Sequence, residues 1–140
     1  MAGVTREMGQ ASASVAMAAV DLLAIPLSAL ATDEMLAFTY VGTDGTRSGD
    51  VFAPKPYKTY DLAPSGLSHT VVQNGVIWTL TITATALAHY VSVESDLPGR
   101  FSDNAFHLFP GHPATITFTA TDASATPAFT LRDLYSATTA

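Results

Sequence analysis

An antiparallel β-sandwich is the fold class that this 140-residue sequence predicts, and three observations predict it. Apolar and polar residues alternate over several short runs in the second half of the chain, which is the period of a strand with one buried face. Turn dipeptides separate those runs. Nineteen threonines, several in strict alternation, supply the β-branched polar faces that half-buried strands show to water.

Taken in order, the first thirty residues are the least decided. Ala13, Val15, Met17 and Ala19 alternate against Ser12, Ser14, Ala16 and Ala18. That pattern favours a strand, although an Ala-rich stretch also has helix propensity. A second short strand is expected over Leu22 to Ile25, ended by Pro26, and another from Met35 to Val41, ended by the turn Thr43-Asp44-Gly45-Thr46. Pro54-Lys55-Pro56-Tyr57-Lys58 through Pro64-Ser65-Gly66 reads as an irregular crossing, because proline cannot donate to a ladder. Asn74-Gly75 predicts a type I′ hairpin between Val71-Val72 and Ile77-Trp78.

Beyond it the faces are explicit. Trp78, Leu80, Ile82 and Ala84 oppose Ile77, Thr79, Thr81 and Thr83; His89, Val91 and Val93 oppose Tyr90, Ser92 and Glu94. Ile116, Phe118 and Ala120 oppose Thr115, Thr117, Thr119 and Thr121, and Phe129 and Leu131 oppose Thr130 and Arg132. Residues 1–11 are expected to be a flexible segment, 12–135 the sandwich and 136–140 a disordered tail.

Composition excludes several functions. Net charge is −6 with only six basic residues, too few and too scattered to neutralise phosphates, so nucleic acid is not an expected partner. There is no cysteine, hence no disulfide and no thiolate site. The apolar stretch Val15 to Leu30 is broken by Asp21 and Pro26 and is not expected to span a membrane. A soluble protein is expected, and the compartment stays open.

The candidates for chemistry are few. Glu94, Asp96 and Asp103 are the one local carboxylate cluster, but Asp96 and Asp103 stand in turn contexts, where such side chains bond nearby backbone. His69, His89, His107 and His112 lack the partners of a zinc set, and no Gly-x-Ser-x-Gly elbow is present, so no metal and no cofactor is expected. Trp78 shares its face with Leu80 and Ile82 and is assigned to the core. Tyr57 and Tyr60 in the Pro-rich crossing are the candidates for an exposed surface that meets a sugar or another domain.

One segment carries more information than the rest: Phe101-Ser102-Asp103-Asn104-Ala105-Phe106-His107-Leu108-Phe109-Pro110-Gly111. It is a polar bend, two aromatics, and a Pro-Gly turn into a Thr-rich strand, so Asp103, Asn104, Phe106, Pro110 and Gly111 form a structural motif. It resembles the segment before the penultimate strand in the last domain of β-mannosidase-type enzymes of glycoside hydrolase family 2. The order of Leu22-Leu23-Ala24-Ile25-Pro26-Leu27, Val51-Phe52-Ala53-Pro54-Lys55 and Ile77-Trp78-Thr79-Leu80-Thr81-Ile82 is similar to that family too, from Val20 to Leu134. His107 stands where the family commonly has an acidic residue, with another near His112, which speaks against a catalytic role for either histidine.

The resemblance implies an immunoglobulin-like sandwich, here without its opening strand or strands. It also implies a non-catalytic C-terminal domain of an enzyme that hydrolyses terminal β-D-mannosides with two carboxylates on a separate barrel. The implied partners are that barrel and the enzyme's other domains, and self-association is expected through the edge that missing strands would leave. The alternative is a free carbohydrate-binding or adhesion module, which an exposed pair of aromatics on one sheet face would favour.

Overall fold

The structure is a computed structural model that describes residues 6–14, 19–122 and 124–139. It divides into two compact units, one ending at Tyr60 and one beginning at Asp61. The division is finer than the single domain expected over residues 12–135.

The first unit is built on a hairpin of β1 (Leu36–Val41) and β2 (Arg47–Phe52), in register from Leu36 opposite Phe52 to Val41 opposite Arg47. Its loop closes where the Gly42 N–H donates to the Thr46 carbonyl at 2.7 Å and the Thr46 N–H donates to Asp44 Oδ1 at 2.9 Å. Gly45 adopts φ +82°, a left-handed conformation that glycine takes without a Cβ penalty. The expected strand over Leu22 to Ile25 does not form. Those residues are irregular and lead into a 3₁₀ turn, Leu27–Ala29, begun by Pro26. Four apolar residues without a partner strand cannot satisfy their own backbone, and Pro26 presets the φ of a turn. The strand expected around Val15 and Met17 falls on residues outside those described. The segment expected to be flexible is tied at Arg6, whose guanidinium donates to both Glu34 carboxylate oxygens at 2.9 and 2.6 Å.

The second unit is a sandwich of two antiparallel sheets. One has the order β3 (Ser68–Asn74), β4 (Ile77–Thr83), β8 (Ala114–Ala120), β6 (Gly99–Phe101). The other has the order β7 (Phe106–Leu108), β5 (Ala88–Ser95), β9 (Phe129–Arg132). Four strands facing three is the arrangement of the immunoglobulin-like sandwich. The core is the set of inward faces that alternation marks out: Trp78, Leu80 and Ile82 of β4, Ile116, Phe118 and Ala120 of β8, and Val91 and Val93 of β5 are all buried. Phe129 of β9 reaches across, with its ring 6.5 Å from Trp78 and 5.4 Å from Phe118, both at steep angles that suit aromatic edges on faces.

Three local details differ from the sequence reading. The β3–β4 turn centres on Gly75-Val76, since Asn74 pairs with Ile77. Only Gly75 has positive φ (+60°), so the turn has type II′ rather than type I′ character. Strand β5 carries a bulge between Ala88 and Val91, with Tyr90 at φ +53°. The extra residue lets Ala88 and His89 both point inward and returns Val91 to the core. Finally, Ser136 to Thr138 of the tail expected to be disordered are helical: α1 (Leu134–Thr138) starts at Asp133, which accepts from the Ser136 N–H while the Ser136 hydroxyl accepts from the Asp133 N–H. This reciprocal cap satisfies the first free donors of a helix and overrides its short length.

Candidate functional site

The segment Phe101 to Gly111 carries the chain from one sheet to the other. At its start Ser102 is stitched to β8, donating its N–H to the Thr117 carbonyl at 2.8 Å and accepting the Thr117 N–H on its hydroxyl at 2.9 Å. At its end β7 pairs with β5, with Phe106 opposite Val91 and Leu108 opposite Ala88.

Between these ends, Asn104 acts as a substitute for a strand residue. Its Oδ1 accepts the Val93 N–H at 2.8 Å and its Nδ2 donates to the Val93 carbonyl at 3.0 Å. An amide side chain carries the same donor and acceptor as a peptide unit, so one side chain can close both backbone groups of one residue. Asp103 contributes less, one bond from the Asn104 N–H at 2.8 Å. Ala105 pays for the bend with φ +61°, uncommon for a residue with a Cβ. Phe106 packs against the core. Pro110 and Gly111 make the turn between Phe109 and His112, closed by the His112 N–H on the Phe109 carbonyl at 3.0 Å. With Gly111 at φ +77° this is the type II geometry in which proline and then glycine are preferred.

Next to this segment lies a polar cluster that sequence reasoning missed. His89 is 2 % exposed, and its Nδ1 is 3.3 Å from His107 Nδ1, with the rings near perpendicular at 83°. The ring of Tyr90 lies 4.8 Å from that of His107. Burial pushes the His89 imidazole down to about 4, His107 pushes in the same direction, and the Asp133 charge opposes both. Asp133 is 4 % exposed. Its burial favours the neutral acid, but hydrogen bonds from Ser65 and Ser136 prevail and hold it below its ordinary value. Ser65, at the entry to β3, thereby bonds the residue at the exit from β9. The Ser65 carbonyl also accepts the Thr85 and Ala86 N–H groups at 2.9 and 3.1 Å. Pro64, Ser65, Leu67, Leu131, Asp133 and Tyr135 line an open cleft of about 250 Å³ there. Ser65 and Ser136 both bond Asp133 there, so the cleft is a clasp between the entry to β3 and the exit from β9. The Asp133-x-x-Ser136 spacing was a legible capping signal; nothing in the sequence pointed to His89 beside His107.

Two further carboxylates of the sandwich serve the backbone. Asp96 Oδ1 accepts the Ala128 N–H at 2.7 Å, and Asp122 holds the Ser124 N–H and hydroxyl, each at 2.8 Å. Glu94 lies 3.8 Å from Arg132. Among the described residues, no group of three or more His, Cys, Asp or Glu is placed to hold a metal ion, and no helix is long and apolar enough to cross a membrane.

The expected aromatic surface is corrected. Tyr57 is half-buried in a 3₁₀ turn, and Tyr60 is only 7 % exposed. The Tyr60 hydroxyl accepts the Lys55 N–H at 3.2 Å, so the ring closes the Pro-rich bend instead of facing solvent. Exposed aromatics occur elsewhere: Phe38 and Tyr40, alternate residues of β1, are 50 % and 54 % exposed.

An immunoglobulin-like module whose acidic groups cap turns and helices, and whose core is continuous between two sheets, defines a structural domain rather than a catalytic fold. The family model for the Ig-fold domain of mannosidases, Ig_mannosidase, matches residues 62–137, and the chain belongs to that family. The match begins where the second compact unit begins. No curated protein matches the chain.

Proposed function

We propose that this chain serves as the non-catalytic C-terminal sandwich of a β-mannosidase-like enzyme of glycoside hydrolase family 2. It packs on a catalytic body that removes terminal β-D-mannose. The observation that carries the reading is the family match over residues 62–137. The turn and capping roles of Asp96, Asp103, Asp122 and Asp133 agree with it, because retaining hydrolysis needs two carboxylates roughly 5 Å apart and free to act on a sugar. In this reading the acid and nucleophile lie on a separate barrel, and the sandwich supports that barrel.

The test has two arms. The chain alone, incubated with an aryl β-mannoside, releases no phenol. The enzyme that carries this domain loses thermal stability and turnover together when residues 62–137 are deleted. Turnover by the isolated chain, or a deleted enzyme with unchanged melting temperature and rate, overturns the proposal. The exposed Phe38 and Tyr40 favour a second reading, a carbohydrate-binding module. Saturable binding of manno-oligosaccharide to the chain, abolished by Phe38→Ala with Tyr40→Ala, would select it.

A further inference from the structure

We infer that β3 is an association edge that pairs antiparallel with β3 of a second copy of this chain. The two sheets of the sandwich have four edge strands. Three are short: β6 and β7 have 3 residues each and β9 has 4. Short edges are one way in which natural sheets avoid edge-to-edge pairing. Strand β3 is different. It is 7 residues long, Ser68-His69-Thr70-Val71-Val72-Gln73-Asn74, and among the described residues it pairs, without a register break, with β4 alone. It contains no proline, no lysine and no acidic residue, the usual devices that blunt an edge. Its outward face is open, with Val72 70 % exposed.

The sequence of β3 indicates what fits it. A partner must be an extended strand of similar length. In a chain of net charge −6, a partner strand without like charge is favoured. A second β3 meets both conditions. With Val71 on the two-fold axis, Ser68 faces the partner's Asn74, His69 the partner's Gln73 and Thr70 the partner's Val72. No pair sets like charge against like, and every unpaired backbone group along the edge gains a mate. The contact is isologous and therefore closes at two copies instead of propagating into a fibre. This pairing places self-association in the sandwich; of the two edges expected from the sequence, Leu22 to Ile25 forms no strand and Val15 to Ala19 falls largely outside the described residues.

Analytical ultracentrifugation of the full chain over a concentration series tests this, with far-UV circular dichroism to confirm folding. The wild type shifts from monomer to dimer. The double variant Thr70→Lys/Val72→Lys, on the exposed face, sets lysines opposite one another twice across the axis and raises the dimer dissociation constant roughly tenfold or more. The variant Thr70→Glu/Val72→Lys sets opposite charges across the same positions and restores dimerisation. A monomeric wild type at all concentrations overturns the inference. So does a lysine variant that dimerises like the wild type, or a charge-paired variant that stays monomeric while folded.

Discussion

Replacing Asn104 by alanine removes two hydrogen bonds at once, and the structure sets the magnitude. The Val93 N–H and carbonyl lose their partners at 2.8 and 3.0 Å, and Val93 itself is buried at 2 % exposure. A typical bond contributes about 1 kcal/mol net, and a buried group left unpaired costs about 1–3 kcal/mol. Because the bend is partly open to water, a total of about 2–4 kcal/mol is expected. For a sandwich of this size, a urea dependence of about 1–1.5 kcal/mol per molar converts that to a midpoint lowered by about 2 M. The assay is urea denaturation followed by far-UV circular dichroism. Two companions isolate the cause. Asp103→Ala removes one exposed local bond and should cost under about 1 kcal/mol. Asn104→Asp keeps the acceptor for the Val93 N–H but turns a carboxylate oxygen toward the Val93 carbonyl, so it should be at least as damaging as alanine at neutral pH. Equal midpoints for Asn104→Ala and Asp103→Ala would refute the reasoning.

Three other predictions follow from single residues. His89 titrates near 6.5 when unfolded and about 4 when folded, so the unfolded state binds the proton first. Stability should be full above pH 6.5 and fall by up to about 3 kcal/mol as the pH drops toward 4, and His89→Gln should flatten that slope in urea midpoints measured against pH. Ala105→Gly should raise stability by about 0.5–1 kcal/mol, seen as a higher melting temperature, because glycine accepts φ +61° without strain. Gly99→Ala should lower stability by about 2–3 kcal/mol in the same melt, because its Cβ would sit 2.5 Å from Phe118 Cε2 and 2.6 Å from the Thr119 carbonyl oxygen.

What could be read from the sequence was whatever local periodicity encodes. β4 and β8 alternate every second residue, so Leu80, Ile82, Ile116 and Phe118 were assigned inward and are buried. The family of the chain was also legible, in the ordered phrases around Trp78 and Phe101 to Gly111. Features that depend on a distant partner were not. Leu22 to Ile25 looked like a strand because apolar runs do, yet strand formation requires a neighbour that pairs with it. Asp103 and Asn104 have equal turn propensity, and only the position of Val93 makes Asn104 the latch. The prolines around Tyr60 predict exposure, but Lys55 supplies a backbone donor for its hydroxyl. Alternation placed His89 on the face of Val91 and Val93, where it is buried, but the bulge that buries Ala88 beside it is revealed by no alternation pattern.

The position of Trp78 has an optical consequence. It is the one tryptophan of the chain, it is buried on β4, and it faces Phe129 of the opposite sheet. Its indole N–H has no acceptor among the described residues, and the ring packs within the apolar core. Its emission therefore reports whether the two sheets remain in contact, while the β1–β2 hairpin, which carries no indole, stays dark in that channel. A red shift signals water entering the seam between the sheets, and the sandwich can be followed unlabelled in a chain divided into two compact units.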